Sequence, residues 1–200
     1  MTTSNWFRVE STPDDHKIAF LRTLRAAAEQ WTFDGLGPET TSTDVEFPDG
    51  RLVVSIEVPG LTSRPQHLQV CYRADVEGRP VLQSAWSRYA RFDDPYEPPD
   101  EETELWVSGV DATPEQCSLW AAAWFERQLS RRVVRREWDR PEAGLSTLLL
   151  AADSGPVFVE WTIEAPDGVI DSRGRFVWSW LTGRPPSRTV VERPGVATQG

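Results

Sequence analysis

His67 and Cys71 are the closest approach in this sequence to a nucleophile with its base. They stand in a segment whose apolar residues, Leu68, Val70 and Tyr72, alternate as on a β-strand. On an extended strand, four positions separate two side chains by about 13 Å, whereas a thiol–imidazole hydrogen bond needs ~3 Å. The pair is therefore read as sharing one strand face with Gln69 and Arg73, not as a dyad. Cys117 falls within the apolar stripe of a predicted helix and His16 in a charged first turn, so neither is poised for reaction. Two histidines and two cysteines make up the whole supply of such groups, and no Cys/His pair has zinc spacing.

The carboxylates give no stronger signal. Glu160 and Glu164 share a strand face, but at about 13 Å they exceed the ~5–9.5 Å used by paired-carboxylate glycosidases. The acids between Asp93 and Glu104 are interrupted by Pro95, Pro98 and Pro99 and lack the glycine of a calcium loop. There is no glycine-rich phosphate loop and no Gly-x-Ser-x-Gly elbow. The sequence thus leans away from an enzyme, and neither a metal nor a cofactor is expected.

Contact chemistry is more plentiful. Ten tryptophans occur in 200 residues, and Trp is a favoured anchor at interfaces. Phe176, Trp178 and Trp180 alternate along a predicted strand as an aromatic ladder. Arg131, Arg135 and Arg136, with Arg132 and Arg140, surround Val133, Val134 and Trp138, which suits an edge strand guarded by charge or an anion-binding surface. The net charge of −10 opposes a phosphate backbone and favours a basic protein partner, so nucleic acid is excluded as the main partner. No apolar run reaches the ~18 residues needed to cross a bilayer, so a membrane is excluded as well. Met1–Lys17 lacks the basic and apolar regions of a signal peptide, and the expected location is the cytoplasm, with both cysteines free.

The positioning elements follow from period and punctuation. Thr12 as N-cap, Pro13 at the first position and acidic Asp14 and Asp15 announce a helix over Asp14–Trp31, whose buried stripe is Phe20, Leu24, Ala27 and Trp31. Between Thr43 and Arg88 the period changes to two. The Pro48-Asp49-Gly50 turn precedes Leu52, Val54, Ile56 and Val58, and further half-buried strands run near Leu68–Tyr72 and Val81–Ser87. A short strand over Leu105–Val110 leads to a second helix, Pro114–Leu129, opened by a Thr113/Gln116 capping box, with Cys117, Trp120, Ala121, Trp124 and Phe125 inward. Strands near Arg132–Trp138, Ser146–Ala152, Val157–Glu164 and Gly174–Leu181 complete the pattern.

The expected fold is α+β. It has an antiparallel sheet of about eight to nine strands, or two linked sheets, with both helices on one face and Trp31, Trp120 and Trp124 in the buried layer. Residues 1–182 make one domain and 183–200 a disordered tail. Within the domain, αββββ halves 12–91 and 104–182 would be joined by the acidic connector 92–103. The preferred function is a non-catalytic binding protein, such as an adaptor, inhibitor or immunity-type protein. The alternative is a small-ligand protein or enzyme with a tryptophan-lined pocket between helices and sheet.

Overall fold

The computed structural model describes residues 5–9, 14–45, 47, 49–61, 67–75, 77–86, 92, 105–140, 145–152, 155–165, 168–170 and 188–193. They fall into two compact units, Met1–Ser130 and Arg131–Gly200. The division follows the second helix and does not coincide with the 92–103 connector.

In the first unit, α1 spans Asp15–Ala28 and is capped by Asp14, not by Thr12 as expected: its carboxylate accepts from the backbone N–H groups of His16 and Lys17. A carboxylate there satisfies two orphan donors and also meets the positive end of the helix dipole. The buried stripe is Lys17, Phe20, Leu21, Leu24 and Ala28. Ala27 lies at its margin, and Trp31 falls beyond the helix, where Trp31 N–H turns back to the Ala28 carbonyl. The tighter i→i−3 bond ends the helix and frees Trp31 to reach the second helix, donating from Nε1 to Glu126 Oε1 at 2.7 Å.

Five strands follow, β1 Thr41–Asp44, β2 Leu52–Glu57, β3 His67–Ala74, β4 Pro80–Trp86 and β5 Trp106–Val107, in an antiparallel sheet of order β1-β2-β3-β4-β5. The Asp49-Gly50 turn is made by Gly50 at φ +71°, its N–H bonded to the Phe47 carbonyl. The β3–β4 turn rests on Asp75, whose carboxylate accepts from the N–H groups of Glu77 and Arg79. The expected strand Leu105–Val110 is shortened to β5, which closes this first sheet by pairing with β4.

α2, Pro114–Ser130, begins at the expected capping box. Gln116 Oε1 accepts from Thr113 N–H, and Thr113 Oγ1 accepts from Gln116 N–H. Both helices lie on one face of the sheet. Phe20 of α1 stacks on Tyr72 of β3 with ring centroids 4.6 Å apart, and Trp86 Nε1 of β4 donates to the buried Gln128 of α2. Register places Leu52, Val54 and Ile56 opposite Tyr72, Val70 and Leu68, and all six are buried on that face. Each such side chain contributes roughly 1.5–3 kcal/mol by leaving water.

The other face of the sheet is covered too, so β2 is not the half-buried strand expected. Val53 and Cys71 pack with Phe92, Phe47 and Ala85, and Ser55 is also buried. Phe47 and Phe92 lie over this face, and strand alternation alone cannot reveal such a cover.

The second unit holds β6 Val133–Arg140, β7 Leu145–Ala152, β8 Gly155–Ala165, β9 Gly168–Ile170 and β10 Arg188–Arg193. Its antiparallel order is β10-β6-β7-β8-β9. Ala165 pairs with Gly168 where β8 meets β9. Two expectations are corrected here. Part of the supposed tail forms β10, because the β-branched run Thr189-Val190-Val191 favours a strand despite the prolines around it. Pairing with β10 also makes β6 an interior strand, not an edge. The described strands therefore form two sheets of five, the second of the two expected arrangements, and not a single sheet of eight or nine.

Candidate functional site

The residues singled out by sequence divide sharply. Phe176, Trp178 and Trp180 lie outside the described residues. Arg131 is half-buried at the start of the second unit. Arg135, Arg136 and Trp138 occupy β6, where register sets Arg135 against Leu150 and Val190, Arg136 against Leu149 and Thr189, and Trp138 against Thr147. β10 pairs with Val133–Glu137 on one side and β7 with Val134–Arg140 on the other, so Arg135 and Arg136 have a neighbouring strand on both sides. In that sheet β9 and β10 are the edges.

The two thiols are shut away, whereas His67 is half-buried and His16 is exposed. His67 and Cys71 lie on β3 as expected, with Cys71 fully buried beside Val53. Burial pushes its thiol up to about 12, outweighing the lowering by Arg73 and Arg51. Cys117 is equally inaccessible on α2, and burial raises its thiol to about 11. At neutral pH both are protonated, and the thiolate is the nucleophile. Tyr72 is raised as well, chiefly by burial and then by the nearby Cys117, Asp14 and Glu115. Among the described residues, no three His, Cys, Asp or Glu side chains are grouped to hold a metal ion. Nor is any described helix long and apolar enough to cross a membrane.

Two arrangements can make contacts. The first is the outer face of α2, built by a helix that is apolar on more sides than it can bury. Its covered side is Cys117, Ser118, Ala121, Ala122, Trp124, Phe125, Gln128 and Leu129. Trp120, expected in the buried layer, is 41% exposed beside Leu119 at 56%, and Ala123 continues the stripe one turn on. The reason is that α2 meets its surroundings on two sides. Gln128 reaches the sheet at Trp86, while Phe125 and Glu126 meet Phe7 and Trp31. Burial therefore spreads from Cys117 towards Ser118 and Ala122, and Trp120 is left on the uncovered side. Sequence reasoning missed Leu119, yet the signal was there: from Cys117 to Phe125 only Ser118 is polar, more apolar surface than one stripe uses.

The second is polar. Asp49 is held by Arg51, with contacts of 2.7–2.8 Å, and lies 3.6 Å from Arg73 Nη1. Arg73 Nη2 donates to Gln83 Oε1 at 3.1 Å, and Arg51 Nη1 donates to the Phe92 carbonyl. The Arg51 hydrogen bonds hold the Asp49 carboxyl below its usual range, against desolvation. Asp49 and the Phe92 carbonyl are tied to the sheet through Arg51 and Arg73, and Arg73 also bridges β3 to Gln83 of β4, so the cluster serves as a clamp on the second face.

What the first unit defines is an α+β domain whose two thiols are internal and whose most exposed aromatic, among the described residues, is Trp120 on a helix face. No family model matches the chain, and no curated protein and no solved structure matches it either.

Proposed function

We propose that this chain is a non-catalytic binding protein that captures a basic protein partner, in the manner of an adaptor or inhibitor, with the outer face of α2 as the contact surface. The observation that carries this reading is the exposure of Leu119 and Trp120 side by side on one helix. An exposed large aromatic beside an exposed aliphatic is costly to leave in water and is typical of an interface anchor. The net charge of −10 supports a basic partner through steering at long range. Two buried, protonated thiols further favour contact over nucleophilic catalysis. Free cysteines suit a reducing compartment, and the proposed setting is the cytoplasm.

The test uses the intact chain as bait in its own cell lysate at low salt, beside a Leu119→Ser/Trp120→Ser variant with an unchanged circular dichroism spectrum. The expected result is a basic protein retained by the wild type, lost from the variant and weakened by added salt. Capture of nothing by the wild type, or of the same protein by both baits, would contradict the reading.

A further inference from the structure

Residues 5–9 are in neither a helix nor a strand, yet Phe7 is fully buried and Trp6 is 9% exposed. Side chains distant in sequence read their backbone. Arg25 Nε donates to the Trp6 carbonyl at 2.9 Å and Arg25 Nη2 to the Phe7 carbonyl at 2.7 Å. Phe7 N–H donates to Thr41 Oγ1 at 3.0 Å. The rings are matched as well. Phe7 stacks on Phe125 and meets Trp31 edge-on, and Trp6 meets Trp31 edge-on at 5.7 Å.

This is how a peptide is held by a protein: a planar fork on successive carbonyls, a hydroxyl on an N–H and aromatic walls for the side chains. Phe7 also sits at φ +46°, a left-handed conformation that a bulky residue avoids. The surroundings therefore impose the backbone shape that they bind, as expected where a cleft and not the segment dictates conformation.

We infer that the cleft formed by Arg25, Trp31, Thr41 and Phe125 is a peptide-recognition site for two consecutive aromatic residues, filled in cis by Trp6-Phe7 and able to take the same pair from another polypeptide. None of these contacts depends on the covalent link to α1. The link supplies only effective concentration, of millimolar order for a short tether, so an outside peptide competes poorly until the tether is cut. The site is separate from the outer face of α2, and either proposal can fail without the other.

The experiment places a protease recognition sequence between residues 9 and 14 of the full chain, cuts it, and follows helical signal and native mass. The probe is a fluorescent synthetic peptide with the sequence of residues 1–10. The cut chain should stay folded, release its own segment on dilution and take up the probe saturably. A Phe7→Ala peptide should bind at least about tenfold more weakly, as for loss of a buried aromatic anchor, and Arg25→Met in the cut chain should weaken the probe similarly. Three outcomes overturn the inference: loss of helix once the segment leaves, which makes it ordinary core; a cut segment that never exchanges; or equal uptake of both peptides.

Discussion

Trp120 and Trp124 stand one turn apart on the same helix, and one is 41% exposed while the other is 2% exposed. Identical side chains on nearly the same side of α2 thus do opposite work, because the sheet and the Phe7–Trp31 cluster cover the side that carries Trp124 and stop short of Trp120. The comparison teaches that aromatic abundance here has two uses, filling an interior and presenting a surface, and that position relative to the cover decides between them.

The largest effect should come from reversing the buried member. Trp124→Ala should cost roughly 3–5 kcal/mol, whereas Trp120→Ala should stay within about 0.5 kcal/mol, both read by denaturant unfolding of the helical signal. Equal losses would erase the distinction. Next in size, Arg25→Met removes two charge-assisted hydrogen bonds to the Trp6 and Phe7 carbonyls and should cost about 1.5–3 kcal/mol. A neutral result would detach the aromatic cluster from its polar anchor. Asp14→Ala removes the cap that orients α1 and should cost about 1 kcal/mol by the same measurement. Unchanged stability would put the helix start elsewhere.

The smallest effect is one of pH. The Asp49 carboxyl is held low by its Arg51 hydrogen bonds, so the charged form is favoured in the folded protein. That contribution is complete above the ordinary carboxylate pKa of 3.8 and is lost as pH falls through the depressed value. Because the Asp49 side chain is 37% exposed, solvent screens the effect. Asp49→Asn should flatten the acid limb of the stability profile slightly, and an unchanged limb would remove the clamp from the account.

How much of this was legible depended on the range of the cause. The Thr113/Gln116 capping box, the Asp49-Gly50 turn and the alternation of Leu68, Val70 and Tyr72 act within a few residues, and each is where the sequence puts it. The cap of α1 was misplaced because Thr12, Asp14 and Asp15 are all competent caps, and only the folded backbone selects Asp14. β10 was hidden because the prolines and glycine around it outweighed a β-branched run of three. The candidate site was legible only in part: tryptophan abundance pointed to contact, but which tryptophan faces outward depends on Phe7, Trp31 and Trp86, which converge from distant parts of the chain. Nothing local marks Trp6 and Phe7 as ligands of Arg25 either.

The most direct test of the central claim is the affinity of the captured partner for the intact chain and for the Leu119→Ser/Trp120→Ser variant, measured by titration calorimetry at matched, low ionic strength. The account predicts at least about a hundredfold loss, as expected when a central interface anchor is removed, with the unfolding midpoint unmoved. Equal affinity for the two chains would contradict it.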